Sequence, residues 1–155
     1  MAANPYSPPA AAVRDPASAE WSWKPVLLGG IVSIGTYFSL ATIVGPVVQH
    51  WYTAQGVPFE KLYQTMSASV EAVLLWHVLA VCGFIMGGYA AANRTLEKPL
   101  IAACLSAVLA KAILLGQYAG VFPYPYPAWS QLLGFVTPVP AALVGGWLCI
   151  RRRLT

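Results

Sequence analysis

Four apolar stretches, 26–48, 70–92, 99–117 and 132–150, govern what this 155-residue chain can become. Each falls within the roughly 17–25 residues that a helix needs to cross about 30 Å of hydrocarbon. Lipid offers no water to bond an exposed backbone, and a helix satisfies its N–H and C=O groups within itself. The expected fold class is therefore all-α, an integral membrane four-helix transmembrane bundle. Composition points the same way: 9% of the residues are charged, against about 25% in soluble domains. The net charge of +4 would signal nucleic acid only if the basic groups shared one face. Apolar runs scatter them here, so no nucleic-acid partner is expected and the first partner is the bilayer.

Two units are expected. Residues 1–22 are rich in Ala, Pro and Ser, with too little apolar periodicity to offset the entropy of ordering a backbone, and read as a disordered cytoplasmic tail. No charged start leads directly into a short apolar run with a small-residue cleavage site, so the segment does not read as a signal peptide. Residues 23–155 form the four-helix domain.

Orientation follows from Lys and Arg in the short flanks, because cytoplasmic loops carry the excess. Arg14 and Lys24 precede the first stretch, Arg94 and Lys98 separate the second from the third, and Arg151, Arg152 and Arg153 follow the fourth. The other two loops hold Lys61 alone. Both termini are expected inside, in the cytoplasmic membrane of a bacterium. Aromatic residues prefer the headgroup level; Trp21, Trp23, Tyr89 and Trp147 mark the inner level, Trp51, Tyr52 and Trp129 the outer one, and Trp76 lies deeper. The arginine run is also expected to attract anionic inner-leaflet lipid, at about 1 kcal/mol per charge.

Between the first two stretches, Phe59, Leu62, Tyr63 and Met66 recur at helical spacing behind Pro58, a good first helical residue. They predict a short amphipathic helix on the outer face. The tract Phe122-Pro-Tyr-Pro-Tyr-Pro127 alternates proline with rings and is expected to be extended and stiff.

Membrane helices associate through small residues that let backbones approach. Gly83, Gly87 and Ala91 form such a stripe, with Ala103, Ser106, Ala107 and Ala110 of the third stretch as its expected partner. A homo-oligomer or a larger membrane complex is an equally available use. Pro138 and Pro140 each remove a backbone bond and predict a kink in the fourth stretch.

Ionisable side chains within hydrocarbon cost about 2.5–3.5 kcal/mol at a helix centre and ask for a reason. Lys111 lies about 18 Å along a helix entered at Pro99, with His77 expected at a similar depth and Glu71 about 9 Å higher. A proton or anion relay through these three would make the protein a small oligomeric conductor. A snorkelling or hydrogen-bonded Lys is the plainer account. His50 and His77 are the two histidines, which permits a haem carrier on count although their levels match poorly; a haem or quinone carrier is the remaining alternative. Cys82, Cys104 and Cys149 lie apart in apolar segments without metal-ligand spacing, so no metal site and no cofactor is expected. No nucleophile elbow, zinc-protease helix or phosphate loop occurs, and no enzyme is expected.

The tract Met86-Gly-Gly-Tyr-Ala-Ala-Ala92 before a basic turn, with Val144-Gly-Gly-Trp147 before an arginine run, resembles a style found in small four-helix bacterial membrane proteins. That resemblance implies no site residue. The expectation taken forward is a non-enzymatic accessory, assembly or self-associating membrane subunit.

Overall fold

The computed structural model describes residues 21–121 and 126–155, the side chains of 116–121 excepted. The expected disordered tail falls almost wholly outside these residues, as does most of the proline–aromatic tract. Among the described residues every regular element is helical: α1 (Lys24–Ala54), a 3-10 turn (Phe59–Lys61), α2 (Leu62–Ala68), α3 (Val70–Asn93), α4 (Pro99–Val121), α5 (Ala128–Val136) and α6 (Pro138–Leu154). Three to four of them are able to cross a membrane. These are α1, α3, and α5 with α6 as one 27-residue rod, joined by α4, which is apolar over Pro99–Leu115.

Local chemistry sets the ends. Gly56 takes φ +86°, a left-handed conformation open to glycine at no steric cost, and so ends the turn after α1. Ser69 caps α3: its hydroxyl oxygen accepts from the Ala72 N–H at 3.3 Å and its O–H donates to Glu71 Oε2 at 2.8 Å. The fourth apolar stretch is not one helix. It breaks at Thr137, whose N–H still donates to Leu133 O at 2.9 Å, and restarts at Pro138, a first-turn position where the missing proline N–H costs nothing.

The long helices alternate in direction. α1 runs antiparallel to α3, with Gly29 beside Gly87 and Ala91 at one end and Gly45 beside Trp76 toward the other. α3 and α6 run parallel, from His77 beside Ser130 to Asn93 beside Cys149. α3 touches all the others, while α1 and α6 flank the α3–α4 pair from opposite sides. The bundle thus has an arginine end, carrying Lys24, Arg94, Lys98 and Arg151–Arg153, and an α2 end, carrying α2 and the start of α5.

Small residues make the arginine half very tight. A Cβ on Gly88 would strike the Ala142 carbonyl oxygen, one on Gly145 would strike the Ile85 carbonyl oxygen, and one on Gly29 would lie 2.7 Å from Gly87 O. The Gly83, Gly87, Ala91 stripe therefore meets α1, where Ser33 and Gly29 face it. At Gly83 and Gly87 the neighbour is α1 and not the α4 expected from sequence, while Ala91 also packs with Ala102 of α4. α4 instead sends Ser106 against Gly29 and Ala103 against Gly146. Helical spacing identifies a contact face but carries no label for the neighbour that fills it.

The segment between α1 and α3 is a 3-10 turn followed by a seven-residue helix. Its apolar residues split. Leu62 and Met66 are buried against Tyr52 and Ala72, whereas Phe59 and Tyr63 are exposed. Outside the bundle, Ile31, Ile43 and Val47 are 68, 68 and 67% exposed, a degree of apolar exposure that water does not favour and lipid does.

Candidate functional site

Toward the α2 end the interlock gives way to a cavity of about 320 Å³ between α1, α3, α4 and the α5–α6 rod. Bulk is what opens it. Where the arginine half has Gly83, Gly87 and Gly88, the preceding turns of α3 place Val73, Trp76, His77 and Ala80 on the cavity wall, with Phe84 next to Gly83. On α5, ahead of the break at Thr137, Ser130, Gln131, Gly134 and Phe135 supply the facing wall.

The polar lining is mostly occupied within the chain. His77 Nε2–H donates to the Ser130 carbonyl at 2.9 Å, and Ser130 Oγ lies 3.4 Å from the same nitrogen. This assigns the neutral imidazole its Nε2–H tautomer. The ring also meets Trp129 edge-on, 6.4 Å between centroids. Gln131 Nε2 donates to Tyr126 O at 3.0 Å and Thr137 Oγ1 to Leu133 O at 2.7 Å. Lys111 is different. Its described contact is with the face of Phe135, the ammonium 5.2 Å from the ring centroid, and among the described lining residues there is no carboxylate. A half-buried cation thus faces the cavity with hydrogen-bonding capacity left over.

The structure brings Lys111 and His77 to the wall of one cavity. It does not bring Glu71 there: that side chain is exposed at the first turn of α3, bonded to Ser69, where a carboxylate also suits the positive end of the helix dipole. His50 is exposed on α1 and is not part of the lining. Among the described residues no group of three metal-ligating side chains gathers. Pro138 and Pro140 stand at the start of α6, and about one turn before them Gly134 lines the cavity, where an added Cβ would meet only Lys111 Nζ, at 3.4 Å.

Two arrangements escape a reading of sequence. Ser130 holds His77 from 53 residues away, across the proline–aromatic tract, and no local pattern announces it. Arg153 does more than mark a side of the membrane: its guanidinium donates to Ala92 O (2.9 Å), Asn93 O (2.7 Å) and Thr95 O (3.1 Å), closing the carbonyl end of α3. Arg152 Nη1 donates to Tyr89 OH at 3.0 Å and Arg151 lies over Trp147. The signal for both would have been the parallel placement of α3 and α6, which loop lengths alone do not fix.

No protein-family model matches the chain, and no curated protein or solved structure matches it either.

Proposed function

We propose that this chain is a non-enzymatic membrane subunit that holds a small molecule in the cavity beside Lys111. Four helices, α1, α3, α4 and the α5–α6 rod, cross the cytoplasmic membrane of a bacterium with both termini inside. The arginine end then lies in the cytoplasmic leaflet, where its charges can meet anionic headgroups, and the cavity lies in the outer half of the bilayer. The observation that carries the reading is a half-buried ammonium facing a half-open cavity with no described carboxylate on its wall. A Lys in hydrocarbon without a counter-charge is costly. A space of this size, apolar with a few convergent polar groups, is the usual form of a small-molecule site.

A conducting path within one chain has less support. The arginine half is closed by backbone-to-backbone contact at Gly29, Gly87, Gly88 and Gly145, which leaves no room for an ion and its hydration. Self-association through the Gly83 and Gly87 stripe also loses support, because α1 already covers that stripe. An accessory role in a larger assembly rests on the exposed apolar faces, which a membrane partner would cover as well as lipid.

Native mass spectrometry of the full chain purified in mild detergent tests the reading, with Gly134→Trp as the variant that fills the cavity. A small-molecule adduct on wild type and its loss from Gly134→Trp are expected. Equal adducts on both, or none on either, reject it. A reporter fused after Thr155 and active outside the cytoplasm rejects the orientation.

A further inference from the structure

The structure assigns the cavity a ligand class: a single-chain amphiphile with a carboxylate head, its head at Lys111 and its chain in the groove between α4 and α6. The assignment rests on the ligand-holding reading above and adds what is held.

A second depression, of about 220 Å³, lies on the other side of the Lys111–Phe135 pair. Its walls are Ala107, Val108, Ala112, Leu115, Pro138 and Val139 with Lys111 and Phe135. The two spaces share Lys111, Leu115 and Phe135. Lys111 is therefore a junction between a partly polar chamber and an apolar channel. Val108 and Phe135 are 51 and 59% exposed, so the channel is open to the membrane and an acyl chain can enter sideways from lipid.

The chemistry of the junction selects the head. Lys111 is the only cation on either wall among the described residues, and neither wall carries an acid, so one negative charge balances the site and a neutral head leaves the ammonium uncompensated. His77 Nε2, Gln131 Nε2 and Thr137 Oγ1 are each turned to a partner within the chain. A head that needs many donors finds few, whereas a carboxylate satisfied by an ammonium does not need them. The apolar lining of the groove selects the tail. One groove between two helices takes one chain, while a diacyl phospholipid brings two chains and a phosphate that belongs at the headgroup level, above Lys111 in the proposed orientation.

Dodecanoate is the probe, titrated into the full-length protein in a neutral detergent and read by native mass spectrometry and by the thermal midpoint. Saturable binding of one dodecanoate is expected, at least tenfold tighter than dodecanol. Lys111→Gln is expected to weaken dodecanoate at least tenfold and leave dodecanol unchanged, while Lys111→Arg stays within about threefold of wild type. Ala112→Trp, which fills the groove away from the ammonium, is expected to weaken dodecanoate by a similar factor without lowering the midpoint of the unliganded protein. Equal binding of dodecanol and dodecanoate, or indifference to Lys111→Gln in a protein with an unchanged midpoint, overturns the assignment. So does phosphatidylglycerol displacing dodecanoate at equal concentration, which would make the ligand a phospholipid headgroup. Failure here with a native adduct still lost from Gly134→Trp removes only the ligand class; absence of any native adduct removes the ligand-holding reading itself.

Discussion

The two halves of the bundle are built by opposite means from the same helices. In the arginine half, α3 presents Gly83, Gly87, Gly88 and Ala91, and its neighbours approach until backbone meets backbone. One to two turns before Gly83 the same helix presents Trp76, His77 and Ala80, and its neighbours stand off around a cavity. In lipid there is no hydrophobic force between helices, so contact depends on how closely van der Waals surfaces fit. Small residues provide that fit in one half and hold the bundle together. This leaves the other half free to be hollow, with a charge in it, at a cost the tight half offsets.

The largest test of that division is Gly88→Leu. A side chain there must pass through the Ala142 carbonyl oxygen, and backbone does not yield as a flexible side-chain tip does. The cost is expected to reach or exceed about 3 kcal/mol, the upper part of the range for overpacking. Size-exclusion chromatography in mild detergent is expected to show loss of the monodisperse folded species. A variant that elutes and melts as wild type would mean that the α3–α6 interface is not close-packed, and the contrast between the halves would be gone.

Next in size is Leu62→Ala. Leu62 is fully buried between α2, Tyr52 and the Trp76 region of α3, and truncation of such a side chain costs about 2–4 kcal/mol. The Phe59→Ala change, at a residue 73% exposed, is expected to move the thermal midpoint little but to weaken lipid partitioning of the α2 end. If the two substitutions cost the same, α2 does not cap the bundle.

Arg153→Ala comes third. It removes three donated hydrogen bonds from the carbonyl end of α3, a loss expected at about 1–2 kcal/mol for bonds to a charged donor. Arg151→Ala, which loses a ring contact, is expected to cost under about 1 kcal/mol. Chemical denaturation of both variants separates them. Equal effects would mean that the run acts by charge alone, as the loop count treats it, and not through a cap.

What sequence can and cannot supply follows the same line. The apolar stretches are legible because a membrane helix must be long and greasy throughout, and Gly87 reads as a contact because little else explains glycine within a helix. That Lys111 and His77 share a level follows from 1.5 Å per residue. The partner of the Gly83, Gly87 stripe is not legible, since α1 and α4 both offer small residues and only the assembled bundle decides between them. Glu71 enters the expected cluster only as an intramembrane carboxylate about 9 Å above His77, and Ser69 two residues before it, a helix cap, is the sign that it belongs to a helix start. Ser130 and Arg153 depend on which helices run side by side, a fact held in no local pattern.

The smallest expected effect is also the most discriminating, because it repeats the glycine substitution where the bundle is hollow. At Gly134 an added Cβ meets only Lys111 Nζ at 3.4 Å, an ordinary contact with the free end of a flexible side chain. Ala is favoured over Gly within a helix by about 1 kcal/mol, which offsets any displacement of the ammonium. Gly134→Ala is therefore expected to be neutral or to stabilise by up to about 1 kcal/mol. Gly88→Ala, with the same single methyl, is expected to destabilise. The sign of the difference, measured by thermal melting of both variants in one detergent, depends on nothing but the space each glycine faces. Destabilisation at Gly134 comparable to that at Gly88 would mean the α2 half is closed like the arginine half, and with it would go the space that Lys111 faces.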